Sequence, residues 1–118
     1  MTSIPIQYIQ NDCQNYSEKS YPDLSPTIIY LSSYYVNYLT SSNIPYRIYI
    51  RGTNFNTNDI TSITFGPYKN IPITFYSSTS ISFIIPMNAK PGPYNIQVVN
   101  QNIKGLIYSN IVVFSINI

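Results

Sequence analysis

The sequence predicts an all-β fold: an antiparallel β-sandwich of about seven strands, preceded by an extended N-terminal arm. Three observations carry this. Ile48-Tyr-Ile-Arg-Gly-Thr-Asn-Phe55 and Ile63-Thr-Phe-Gly66 place apolar residues two apart and then stop at Gly, the pattern of a strand with one buried face. Such segments recur at the 8–12-residue spacing typical of sandwiches. Nine prolines and abundant β-branched residues leave no long stretch with the 3.6-residue period of a helix.

The arm, residues 1–25, holds one apolar piece, Ile4-Pro-Ile-Gln-Tyr-Ile9, followed by a polar run. Pro5 withholds a ladder N–H, so this piece reads as an edge strand or an arm. The sandwich occupies residues 26–118. Its first strand is expected at Thr27–Ser33, followed by a Tyr- and Ser-rich loop from Tyr34 to Asn43. The second, Pro45–Gly52, turns Ile48 and Ile50 inward and Arg47, Tyr49 and Arg51 outward. Ile60–Gly66 turns through Pro67-Tyr68-Lys69-Asn70 into Ile71–Tyr76, where Ile73 and Phe75 alternate. Ser77-Ser78 leads to Thr79–Pro86, with Ile81, Phe83 and Ile85 on one face. After the turn Asn88-Ala-Lys-Pro-Gly92, the sixth strand, Pro93–Asn100, points Tyr94, Ile96 and Val98 inward. The last, near Ile107–Ile118, offers Val112, Phe114 and Ile116. These inward residues suffice for a two-sheet core.

Composition narrows function. The chain of 118 residues has no His, one cysteine (Cys13) and four acids: Asp12, Glu18, Asp23 and Asp59. Acid–base catalysis at neutral pH usually draws on His or a perturbed carboxylate pair, and zinc and calcium sites need clustered ligands. No catalytic residue, cofactor or metal is therefore expected. A lone Cys13 cannot form an internal disulfide and reads as a small buried hydrophobe or a free thiol. No secretory signal or membrane-length apolar run is visible, so Asn15-Tyr-Ser17 reads as an unused glycosylation match.

Charged residues make up 8% of the chain, against roughly 25% in typical soluble domains. Thirteen tyrosines, with Asn, Ser and Thr, stand where surface charges normally do, which is the composition of a contact surface. A/T-rich codon usage also explains many Ile and Asn, but it would raise Lys too, and Lys occurs only at Lys19, Lys69, Lys90 and Lys104. The charge is unevenly placed. Lys19 faces three acids in the arm (net −2), whereas Arg47, Arg51, Lys69, Lys90 and Lys104 face only Asp59 in the body (net +4).

The order of elements resembles the IPT/TIG family. The matching pieces are Pro26-x-Ile28-x-x-Leu31, Ile48-x-Ile50-x-Gly52-x-Asn54-Phe55, Ile63-x-Phe65-Gly66, and Ser77-Ser78-Thr79-x-Ile81 running to Pro86. Gly92-x-Tyr94-x-Ile96-x-Val98-x-Asn100 and Ser109-Asn110 before Val113-Phe114-x-Ile116 complete the likeness. It covers about residues 26–116. The resemblance implies an immunoglobulin-like, early-set sandwich with a binding role and no catalytic residues to carry over. Two positions depart from the family's habit. Ser33 stands where a Pro is usual, and Tyr35-Val-Asn-Tyr38 with a Ser/Asn run replaces a Gly-rich stretch.

Three candidate sites emerge. Tyr34, Tyr35 and Tyr38 could form a recognition surface for protein or carbohydrate, because Tyr offers large contact area at low rotamer cost; equally, they could be half-buried packing. Arg47, Tyr49 and Arg51 could meet acidic groups, nucleic-acid phosphate included, or simply decorate a solvated face; two Arg are few for a nucleic-acid surface. The arm could dock on a neighbouring subunit, giving self-association, or cover an edge of its own sandwich. The expected function is a non-enzymatic structural or interaction protein working through protein contacts: a minor capsid or surface component of a large DNA virus, located in the virion. A carbohydrate- or host-receptor-binding module is the alternative, and nucleic-acid binding comes last.

Overall fold

The computed structural model describes residues 25–38 and 45–118. The arm ahead of Ser25, Cys13 and the 39–44 part of the Tyr/Ser loop lie outside the described residues. Among the described residues, ten strands form two sheets. β1 (Thr27–Leu31), β3 (Arg47–Thr53), β7 (Ser80–Ile84) and β6 (Thr74–Ser77) make a four-stranded sheet in the order β1-β3-β7-β6. β2 (Tyr35–Asn37), β10 (Val112–Asn117), β8 (Gly92–Asn102), β4 (Thr61–Phe65) and β5 (Tyr68–Ile71) make the second, with β9 (Gly105–Tyr108) also paired to β8.

Alternation in the sequence becomes burial. β3 reads Ile48 and Ile50 buried against Tyr49 and Arg51 exposed, and β4 buries Thr61, Ile63 and Phe65. Ile28, Leu31, Ile48, Ile50, Ile81 and Phe83 from the first sheet meet Ile63, Phe65, Ile96, Val98, Phe114 and Ile116 from the second. Phe65 is central. Its ring lies 5.9 Å from Phe83, 6.1 Å from Phe114 and 4.5 Å from Tyr94, the last pair stacked. Dry contact of apolar faces at native density is what stabilises the sandwich, at about 25 cal/mol per Å² buried.

The strand count exceeds the expected seven for local reasons. The Tyr34–Asn43 segment contains β2, which pairs parallel with β10, Val36 facing Ile116. The first strand thus continues across the sandwich edge into the other sheet, and the architecture includes one parallel pair. Pro67-Tyr68-Lys69-Asn70, expected as turn, is largely β5. Gly66 and Asn70, at φ 56° and 59°, supply the left-handed positions that bend this short hairpin. The expected strand Ile71–Tyr76 is divided at Pro72-Ile73, where the chain leaves the second sheet for the first; Ile73 is buried, but Phe75 is exposed on edge strand β6. The final strand is also divided. Both β9 and β10 pair with β8, and Ser109-Asn110-Ile111 interrupts them.

That interruption is held by side chains. Ser109 Oγ accepts from the Val98 N–H at 2.8 Å and donates to the Asn110 carbonyl. Asn110 Oδ1 accepts from the Ile28 N–H at 2.8 Å while its Nδ2 donates to the Ile28 carbonyl at 3.0 Å. A side-chain amide thus takes the place of a neighbouring strand at the free edge of β1, and the Leu31 N–H is taken by the Tyr34 hydroxyl. An edge satisfied in this way no longer templates another strand at those residues.

The Gly52-x-Asn54-Phe55 corner is clamped similarly. Thr61 Oγ1 donates to Asn100 Oδ1 at 2.5 Å and accepts from the Asn56 N–H, and Asn100 Nδ2 donates to the Asn54 carbonyl. Asn54 occupies the left-handed region at φ 63°, and its Nδ2 donates to the Ser25 carbonyl. The buried Thr61–Asn100 pair anchors the corner, and the exposed Asn54–Ser25 bond ties the chain entering β1 to it.

Candidate functional site

The residues singled out in the sequence fall into two places. Arg47, Tyr49 and Arg51 share the outer face of β3, because alternate residues of one strand point the same way. Ser82 of β7 is directly opposite Tyr49, and Thr74 of β6 is opposite Ser82. The small Ser82 leaves room for Tyr49 and Tyr76 to lean together over β7, their centroids 6.1 Å apart and planes at 28°. Arg47 Nη1 donates to Ser82 Oγ at 2.7 Å and to Thr74 Oγ1 at 3.2 Å. The Tyr76 hydroxyl is 3.0 Å from the same Ser82 oxygen. Ser82 is fully buried beneath these larger side chains.

The electrostatics of this face are one-sided. Among the described residues, the Arg47 guanidinium meets only neutral hydroxyls and the Arg51 side chain makes no hydrogen bond or ion pair. Opposite Arg51 stands Tyr30 of β1, half exposed. Asp59, the only acid among the described residues, belongs to the turn leading into β4. Two arginines whose Cα atoms stand about 13 Å apart along the strand therefore flank an aromatic pair, with no carboxylate of the described residues beside them.

The second place is an open groove of about 520 Å³ lined by Ser33, Tyr34, Tyr35, Val36, Asn37 and Tyr46. Tyr34 and Tyr35 are exposed there, whereas Val36 turns into the core. Ser33 Oγ and the Tyr46 hydroxyl are 2.8 Å apart, and the Tyr46 ring leans on Phe114 at 6.4 Å. Tyr38 is partly buried against the core and does not line this groove. Sequence reasoning missed Ser82, Thr74 and Tyr76 at the first place and the part of Ser33 at the second. The available signal was Ser80-x-Ser82, small outward residues alternating with the buried Ile81 and Phe83.

Two sheets packed face to face, a first strand that switches sheets, and sites made of strand faces and an edge groove define an immunoglobulin-like interaction module. The IPT/TIG domain family matches residues 30–116, well over half of the chain, and the chain belongs to that family. Its domains are immunoglobulin-like modules that mediate protein interactions or DNA binding, and they are generally non-catalytic. No curated protein matches the chain. Among the described residues, no helix is long and apolar enough to cross a membrane.

Proposed function

We propose that this chain is a non-enzymatic protein-contact module of a multi-copy assembly, a minor capsid or surface component of a large DNA virus, located in the virion. One observation carries the protein-contact reading. Leu106 and Tyr108 on β9, Ile111 in the link and Val113 on β10 follow one another, each about half exposed, and the cross-strand neighbours of Val113 and Leu106 on β8 are the uncharged Asn95 and Gln101. Such a stripe loses little solvation when covered and gains apolar burial, which is the balance of a protein interface. The virion assignment draws on the low-charge, Tyr- and Asn-rich composition. Proteomics of purified particles from the source tests it: the chain is expected among the particle proteins, and its absence from them overturns the assignment.

The groove at Tyr34 and Tyr35 favours a second reading, a carbohydrate- or receptor-binding module, since its size falls within the ~300–1,000 Å³ of small-ligand sites. Glycan-array binding lost in a folded Tyr34/Tyr35/Tyr38→Ala variant supports that reading. Absence of binding to every glycan and host extract removes it.

A further inference from the structure

We propose that the outer face of the four-stranded sheet receives the acidic N-terminal segment of a second copy of this chain, with Arg51 and Arg47 binding the carboxylates of Asp23 and Glu18. This landing site rests on the protein-contact reading above and gives that reading a surface and a partner.

Charge selects the occupant. Arg47 and Arg51 are cations without an anionic neighbour among the described residues, and guanidinium groups pair best with carboxylates, bidentately. The chain's own surplus of carboxylates lies in one segment, where Asp12, Glu18 and Asp23 outnumber Lys19. Spacing agrees. Four residues of β3 put the two Arg Cα atoms about 13 Å apart, within the reach of about 17 Å that the five residues from Glu18 to Asp23 have when extended. Between the Arg lies the Tyr49–Tyr76 pair, a flat aromatic surface suited to Tyr21 and Pro22.

Chain direction selects the second copy. Thr27 pairs with Thr53, and the Ser25 carbonyl is held by Asn54, so the chain enters at the far end of β3 from Arg47. β1 runs antiparallel to β3, so whatever precedes Ser25 must double back to lie across its own Arg face, whereas a neighbour's segment can approach from either direction. The edge of β1 is not an alternative berth, because Asn110 and the Tyr34 hydroxyl already occupy its Ile28 and Leu31 groups.

The test uses full-length protein carrying Glu18→Lys and Asp23→Lys, whose own segment no longer competes, titrated with a labelled peptide of residues 8–24. Binding is expected to weaken about tenfold when Arg51→Glu is added, to weaken less with Arg51→Gln, and to fall steeply with salt. Arg51 is the decisive position because it holds nothing in place among the described residues. In sedimentation velocity, the Glu18→Lys/Asp23→Lys chain and an Arg47→Glu/Arg51→Glu chain should each stay monomeric and associate when mixed, their reversed charges matching. Equal peptide affinity across the Arg51 variants overturns the landing site. So does docking that is independent of concentration, which would mean that the segment folds back on its own face. Absence of peptide binding to the Glu18→Lys/Asp23→Lys chain, with the natural chain still found in particles, refutes the landing site alone and leaves the proposed function standing.

Discussion

Replacing Gly52 with Ala probes how tightly β1 is joined to the body of the sandwich. Gly52 is buried on β3 opposite Ile28, in the Gly52-x-Asn54-Phe55 corner. A Cβ there would lie far inside contact distance of the Thr27 carbonyl oxygen and 2.5 Å from Phe55 Cζ. The Phe55 ring is itself in the core and has little room to turn. The carbonyl is backbone, so it yields only if β1 separates from β3. Overpacking of this kind costs about 1–3 kcal/mol. The stiffer denatured chain of an Ala variant returns about 0.4–1 kcal/mol. Because one of the two clashes is with an immovable group, the upper end of the cost applies, and the net loss is about 2 kcal/mol. For a domain of this size that lowers the melting temperature by roughly 8–16 °C. Circular-dichroism melts and urea titrations read it directly, with the exposed neighbour change Arg51→Ala expected to stay within about 0.5 kcal/mol. A Gly52→Ala protein as stable as the parent would refute the reasoning, since β1 would then have slack at its closest approach.

Three further outcomes are expected. Asn110→Ala removes both hydrogen bonds to Ile28 and should cost about 1–3 kcal/mol in urea unfolding; by reopening the β1 edge it should also raise self-association in light scattering. Burial against Phe65, together with the neighbouring Tyr68, pushes the Tyr94 phenol above its ordinary value of 10.0. A folded-state pKa above the unfolded one leaves stability whole below that ordinary value and erodes it as pH climbs through the raised value, so urea midpoints should fall above pH ~10, and less steeply in Tyr94→Phe. Deleting residues 1–24 should leave thermal unfolding cooperative and nearly unchanged while weakening association in sedimentation; loss of folding would make the arm part of the sandwich.

The core was legible because its code is local. Ile48 and Ile50, Ile63 and Phe65, Ile81 and Phe83, and Phe114 and Ile116 alternate along their own strands and all arrive inside. What was not legible depends on a partner distant in sequence. Tyr35-Val-Asn37 reads as loop until β10 lies beside it, because three residues with one buried Val carry too little pattern to mark a strand. Phe75 has the alternation of a core residue, yet the crossover at Pro72-Ile73 moves its strand to an edge and leaves it partly exposed. The break between β9 and β10 likewise follows from Asn110 bonding to Ile28, 82 residues away.

The outer face of the four-stranded sheet shows the same division between local and distant information. That Arg47, Tyr49 and Arg51 point outward follows from period two alone. That Tyr49 meets Tyr76, and that Arg47 is steadied by Ser82 and Thr74, requires β3, β7 and β6 to be neighbours in register. The consequence is physical as well as descriptive. A free Arg on a flat strand loses about 2 kcal/mol of side-chain entropy when it binds, whereas Arg47 has spent part of that on two hydroxyls that leave its charge unneutralised. Such a cation is pre-positioned for an anion and, having no carboxylate beside it among the described residues, gains more from one brought by a partner.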